Sequence, residues 1–177
     1  MKLNENYYII SDTHFGHKNI AEYEGRPDNY AELIIKRWQE TVKKQDKILF
    51  LGDLALCNKE DAYKWCKQLS GEKFMIRGNH DGASETWYKD LGFTVIPPIY
   101  KRFKDKYDKY ISVLFTHEPV IDLPKEWFNV HGHLHLGLHH KFAKTARHFN
   151  ACVEVLDYTP IKLHKILDGF RKYKGVK

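Results

Sequence analysis

Short apolar runs alternate with segments of helical period in the first half of the chain. Tyr7-Tyr8-Ile9-Ile10, ended by Ser11-Asp12, reads as a first strand over Tyr7–Ser11. After the breaker cluster Gly25-Arg26-Pro27, Ile34, Trp38 and Val42 recur at four-residue steps. Lys36, Arg37, Glu40 and Lys43 fall off that face, so the pattern predicts a helix from a cap at Asp28 to about Lys44. Lys47–Leu51 is a second strand. Asn58 is placed to cap a helix over Lys59–Leu69, closed by Gly71. Lys73-Phe74-Met75-Ile76-Arg77 is a third strand, and Ser84 caps a short helix to Leu91, followed by Gly92. The order β-α-β-α-β-α predicts parallel strands joined by crossovers.

From Phe93 the rhythm changes to strands: Phe93–Ile96, Ile99–Phe103, Tyr110–Phe115, Trp127–Val130 and Phe149–Val155. Pro97-Pro98 and a hairpin tip over Lys104–Lys109 separate them. Beyond Thr159-Pro160 the chain fits either a final helix toward Phe170 or an edge strand over Ile161-Lys162-Leu163. The pattern does not separate the two. With no internal repeat or compositional break, the expected architecture is α/β: one domain over 1–177, two mixed sheets packed as a sandwich with flanking helices, and a basic tail from about 171.

Composition narrows the class. A chain of 177 residues, 42% hydrophobic and 14% aromatic, can bury a full core and is not disordered. No apolar run is long enough for a membrane span, and the polar start Met1-Lys2-Leu3-Asn4-Glu5-Asn6 has no signal-peptide pattern, so the cytoplasm is the expected compartment. Three cysteines without a Cys-x-x-Cys pair point to reduced thiols rather than disulfides or a thiolate zinc site. The net charge of +6 favours an anionic substrate. The basic runs around Lys101–Lys109 and in the tail read as solvated surface, so nucleic acid is a possible partner but not the favoured one.

The chemistry gathers where strands end. Asp12-Thr13-His14, Gly52-Asp53, Gly78-Asn79-His80-Asp81, Thr116-His117 and Gly132-His133-Leu134-His135 each place hard or borderline metal donors at a predicted strand exit. A single Asp-x-His at such a place is more often a turn or cap residue. Five such segments in one chain point to one metal site. Asp12 with His14, and His133 with His135, are spaced i,i+2, so in extended backbone each pair points one way. Gly132 lets the backbone approach a ligand closely.

In order, Asp12-x-His14, Gly52-Asp53, Gly78-Asn79-His80-Asp81, His117 and Gly132-His133-x-His135 resemble the signature of the calcineurin-like metallophosphoesterases, and Ser-Asp-Thr-His-Phe-Gly-His resembles a small bacterial and phage branch of it. The resemblance implies the four-layer fold of that family, a sandwich of two mixed sheets flanked by helices. It implies that Asp12, His14 and His135 hold one divalent metal, that Asn79, His117 and His133 hold a second, and that Asp53 bridges them. His80 would be the catalytic group beside the scissile phosphate, oriented by Asp81. A hydroxide between the metals would attack phosphorus. A donor set of nitrogen and oxygen without thiolate suits Mn²⁺, Fe²⁺, Co²⁺ or Zn²⁺ better than a structural zinc site; Mn²⁺ is the metal expected, with Fe, Co, Ni or Zn as alternatives.

Three further residues are candidates for substrate contact: His17, three residues after His14; Arg77, just before Gly78; and Arg147, in the basic stretch Leu138–His148. Asn150 is a candidate to brace that region. The segment Gly52-Asp53-Leu54-Ala55-Leu56-Cys57 differs from the pattern of the family's protein phosphatases. The expected activity is therefore hydrolysis of a phosphodiester, of a nucleotide or cyclic nucleotide. The alternatives are a phosphomonoesterase acting on a small metabolite and a non-catalytic interaction scaffold of the same fold. A DNA nuclease is a further possibility, without a visible DNA-binding appendage.

Overall fold

The structure, a computed structural model, describes residues 1–104, 109–137 and 145–175. Strands β1 (Tyr8–Ile10), β2 (Lys47–Phe50), β3 (Glu72–Met75) and β4 (Phe93–Val95) are parallel and lie in the order β4-β3-β2-β1. A second sheet has the order β5-β6-β7-β8, from β5 (Ile99–Lys104), β6 (Tyr110–Phe115), β7 (Trp127–His131) and β8 (His148–Asn150). In it β5 runs antiparallel to β6, and the other two pairings are parallel. The ambiguous segment near the end supplies both elements. Strand β9 (Ile161–Lys162) pairs antiparallel with β1, and helix α5 (Leu163–Tyr173) starts at the next residue.

The central strands β1 and β2 are buried on both faces and so read as apolar runs, Tyr8-Ile9-Ile10 and Ile48-Leu49-Phe50, while β3 opens on Glu72 and Lys73 before Phe74 and Met75. Ile48 and Phe50 face one core with Ile10, Met75 and Phe93. Helices α1 (Ile20–Glu24), α2 (Tyr30–Thr41), α3 (Lys59–Cys66) and α4 (Glu85–Asp90) cover it through Ile20, Ile34, Trp38, Ala62 and Tyr88. Leu49 and Leu51 face the other way, into the core between the sheets. There they join Ile9, Phe74, Val113, Phe115, Phe128 and Val130, with Leu167 and Phe170 of α5. The Asn58 and Ser84 caps form as the sequence predicts, accepting from the amides of Asp61 and Trp87.

Several boundaries move. The predicted helix to Lys44 stops at Thr41, because Val42 turns to extended backbone while staying buried. Helix α3 ends at Cys66, short of Leu69. The predicted strand Phe149–Val155 ends at Asn150. Beyond it Ala151, Cys152 and Val153 are buried without continuing the ladder, apart from a single bridge between Cys152 and Ser11. The predicted hairpin tip lies largely outside the described residues. No described helix is long and apolar enough to cross a membrane.

Register then places the exits. Ile10, Phe50, Met75 and Val95 stand level across the first sheet, and Phe115 stands level with Val130 in the second. Beyond those rows the chains are stitched by backbone bonds: Asp12 N–H to Gly52 O (2.9 Å), Ser11 N–H to Ala151 O (2.9 Å) and Gly132 N–H to His117 O (2.8 Å). Phe115 joins core to site, since it is fully buried and only Thr116 separates it from His117. Phe115→Ala is expected to destabilise the protein by about 3–5 kcal/mol, the usual cost of emptying a large core site, measured by urea unfolding.

Candidate metal centre

The strand exits turn by left-handed backbone. Asp12 (φ 60°), His14 (48°), Asp53 (59°), His133 (69°) and His135 (48°) are five of the eight non-glycine residues with positive φ among the described residues. Each such residue costs about 1–3 kcal/mol and persists only where its surroundings enforce it. The extended i,i+2 geometry expected for the two motif pairs is therefore absent. Asp12 and His14 still converge, by way of two left-handed residues. His133 and His135 diverge into different clusters.

Asp12, His14 and His135 form one cluster of potential metal donors, and Asp53, His117 and His133 form another; within each, the ligand atoms lie within 4.8 Å of one another. Asp53 Oδ2 faces both, 3.5 Å from His14 Nε2 and 3.4 Å from His117 Nε2. Asn79 belongs to the second cluster: its Oδ1 is 2.8 Å from His117 Nε2 and 2.9 Å from His133 Nδ1. The fit to metal shows most plainly at His14, whose Nε2 is buried and has no hydrogen-bond partner among the described residues. A buried polar atom is rarely left so unless something else binds it.

The glycines of the motifs make this crowding possible. A Cβ on Gly132 would collide with Asp12 Oδ2. Gly52, at φ 98°, would place one 2.6 Å from His117 Nδ1.

A family model for calcineurin-like phosphoesterases matches residues 6–174. The chain belongs to this family. An uncharacterized protein of Methanocaldococcus jannaschii is 35% identical, over 96% of this chain and 94% of that one. The Gene 66 protein of Mycobacterium phage L5 is 34% identical over 44% of this chain and 40% of its own length. The crystal structure of a protein of unknown function from Aquifex aeolicus superposes with a TM-score of 0.66 and 25% identity, covering 92% of this chain and 97% of that one. Membership of the calcineurin-like phosphoesterases supports metal-dependent hydrolysis of phosphate esters, and the two donor clusters are where metal can bind.

Within this calcineurin-like site, His80 and Asp81 part company. The His80 ring is exposed, its centroid 5.5 Å from that of His14, while its backbone amide donates to Asp53 Oδ1 at 3.0 Å. Asp81 was expected to orient that ring, and it does not. Its buried carboxylate instead accepts from the amides of Asp53 (2.6 Å), Gly78 (2.8 Å) and Leu54 (3.2 Å) and from the Tyr88 hydroxyl (3.3 Å). Asp81 thus fastens the β2 exit to the β3 exit, because backbone amides reach it where the outward ring cannot.

His17 sits beside the first cluster, its ring edge-on to His14 at 5.7 Å. Arg77 lies over the Tyr88 ring at 5.3 Å, a packing role. Arg147 Nη1 donates to the carbonyls of Pro124 (3.0 Å) and Leu123 (3.4 Å), which ties down a loop. Leu138–Lys144 of the basic stretch lies outside the described residues. Asn150 does brace its surroundings, donating to His135 O at 2.7 Å. Sequence reasoning missed Cys152, whose thiol donates to Asp12 Oδ2 (3.2 Å), as well as Arg26 and Glu154. The one available signal was Glu154, a lone acid between Val153 and Val155 in an apolar run.

Electrostatics in the metal-free protein follow from these contacts. Burial raises Asp12 and Asp53, yet hydrogen bonding and charge from the histidines outweigh it and hold both carboxyls below their usual range. Burial also opposes charge on His117, but Asp53 and Asp12 override it and lift the ring to about 9. Both His117 nitrogens face oxygen, Leu51 O at 2.7 Å and Asn79 Oδ1 at 2.8 Å, as an imidazolium requires. A raised histidine contributes stability that is complete below its unfolded pKa of about 6.5 and is lost as pH rises through the folded value. The stability advantage of chelator-treated wild type over His117→Gln should therefore shrink between about pH 6.5 and 9. Metal binding, which must displace that proton, should strengthen over the same range. Melting temperatures and metal titrations across this window check both, and an advantage that grows with pH would show that His117 is not charged in the metal-free fold.

Proposed function

We propose that the protein is a binuclear metal-dependent phosphodiesterase acting on a nucleotide or cyclic nucleotide. The observation that carries the binuclear reading is the placement of Asp53 Oδ2 within 3.5 Å of a donor nitrogen in each cluster. One carboxylate oxygen reaches both groups, as a bridging ligand must. Asp12, His14 and His135 would hold one cation, Asn79, His117 and His133 the other, and Asp53 both. The Cys152 thiol is engaged behind the donors, giving its proton to a hydrogen bond with Asp12 Oδ2 at 3.2 Å, and in the metal-free protein burial and the charges of Asp12 and Glu154 raise its pKa well above the ordinary range. Nitrogen and oxygen donors suit Mn²⁺, Fe, Co, Ni or Zn, and Mn²⁺ is the metal we take forward. When bound, two such cations supply Lewis acidity toward phosphoryl oxygens and a water acidified toward neutral pH.

The protein's own groups do the rest. The exposed His80 ring is free to give its proton to the leaving oxygen. Asp81 holds the loop that carries Asp53, and the His80 amide fixes the carboxylate oxygen that faces away from the clusters. Support for a nucleotide comes from an open groove of about 790 Å³ beside His17, lined also by Lys18, Asn19, Leu56, Cys57, Trp65 and the Asp61–Lys64 ion pair. Its volume suits a small-molecule site. An apolar floor beside basic and amide groups suits a nucleobase and the sugar attached to it. The net charge of +6 favours the anion.

Reconstituted with Mn²⁺, the protein is expected to cleave bis-p-nitrophenyl phosphate in preference to p-nitrophenyl phosphate. A monoester preference would overturn the diester assignment. His80→Ala should lower kcat by about 10²- to 10⁴-fold while metal content, by elemental analysis, stays that of wild type. Loss of metal in step with activity would make His80 a ligand instead.

A further inference from the structure

Behind the first cluster lies a third group of donors, Glu24, His135 and Glu154, with ligand-type atoms within 4.8 Å of one another. It is not arranged for a cation of its own. Arg26 Nε donates to Glu154 Oε1 at 2.7 Å, and the two side chains are 0% and 3% exposed. A buried guanidinium already balances the carboxylate. His135 divides its nitrogens: Nδ1 is 2.8 Å from Glu154 Oε1, and Nε2 is 3.9 Å from Asp12 Oδ1.

We propose that Glu154 and Arg26 are positioning residues that orient His135 and charge-balance the Asp12–His14–His135 half of the centre. The inference rests on the reading of that cluster as a metal site. An ionised carboxylate only accepts, so Glu154 requires a proton on His135 Nδ1, and it is Nε2, on the side of Asp12, that is left to bind a metal. A carboxylate behind a ligating imidazole fixes its tautomer and raises its basicity. Arg26 Nη2 is 3.5 Å from the same Nδ1. Two donors do not bond each other, and Glu154 Oε1 is the acceptor they share.

The other arm of the guanidinium reaches the ligand loop. Arg26 donates to the carbonyls of Thr13 (2.9 Å) and Asp12 (2.7 Å), while the Tyr30 hydroxyl, beneath the same guanidinium, donates to His14 O (2.8 Å). Three successive carbonyls are held through the stretch that contains left-handed Asp12 and His14. A buried cation so near a metal site would oppose metal binding unless its charge were cancelled. Glu154 cancels it. With Glu154→Gln the shape stays, but the fixed tautomer and the cancelling charge are both lost.

The experiment is calorimetric titration of Mn²⁺ into the chelator-treated 177-residue chain, beside the melting temperature of each metal-free variant. Wild type should take up two equivalents. E154Q should weaken one of them by about 10- to 100-fold, the usual cost of removing such a partner, and leave the other unchanged. E154D, which keeps the charge, should lose less than E154Q. R26K, which keeps the charge but not the fork, should weaken the same equivalent. Unchanged affinity in E154Q, or equal weakening of both equivalents with a lowered metal-free melting temperature, would overturn the proposal and leave Glu154 a packing residue. If wild type binds a single equivalent, the binuclear reading fails by itself, and the effect of E154Q on that equivalent still decides this inference.

Discussion

The site depends on how Asp53 is held. Its backbone turns with φ 59°, next to Gly52 at φ 98°, a conformation that would relax if nothing opposed it. Asp81 opposes it from the neighbouring strand exit by accepting from the amides of both Asp53 and Leu54. Burying a carboxylate without a cation is costly, and burial, the largest influence on Asp81, does raise its pKa. Three amides and a tyrosine hydroxyl offset enough of that cost for the group to serve as an internal staple. Once the loop is fixed, the His80 amide takes Asp53 Oδ1 and turns Oδ2 toward His14 and His117. Backbone strain, a buried acid and the placement of the shared oxygen are thus one linked arrangement.

The same logic explains why the donors stand at strand exits. Parallel pairing puts Ile10, Phe50 and Met75 in one row, so the residues after them leave the sheet at one edge. The second sheet brings Phe115 and Val130 level, and the Ser11–Ala151 bond joins the two edges. Cores on both sides of the first sheet hold these rows rigidly. The strained residues can then stay left-handed because they are attached to strands that cannot shift to relieve them.

Much of this was legible in the sequence. The β-α alternation, the Asn58 and Ser84 caps and the succession of strands along the chain up to Phe115 follow from local periodicity and cap chemistry, and the structure bears them out. Failures came where burial and pairing separate. Ala151, Cys152 and Val153 look like strand because they are apolar, yet they are buried beyond the ladder. Ile161-Lys162 could not be told from helix because Lys162 is both the end of β9 and the N-cap of α5. At the site, residue types at strand exits pointed to the donors. Their left-handed backbone was hidden, since nothing in Asp-x-His spacing distinguishes an extended pair from a turn.

What the sequence hides most thoroughly is the layer behind the donors. Arg26 and Glu154 are 128 positions apart and meet only because α1 leads its chain back past the β1 exit. Asp12 shows what that layer accomplishes. Its carboxylate accepts from the His133 amide, at 3.0 Å on Oδ2, and from the Cys152 thiol. Both donors are neutral. They hold the carboxylate in place while leaving its full charge to be met from the side of His14 and His135. A lysine or arginine in either position would have bonded it more strongly and cancelled the charge a metal needs. The Arg26 guanidinium is kept on the backbone carbonyls and paired with its own acid. A centre built to bind cations must be buried enough to strengthen electrostatics and yet be compensated only by what the cations can displace, here the proton that Asp53 and Asp12 hold on His117. Neutral donors on Asp12, with the Arg26 guanidinium matched to Glu154, meet both conditions.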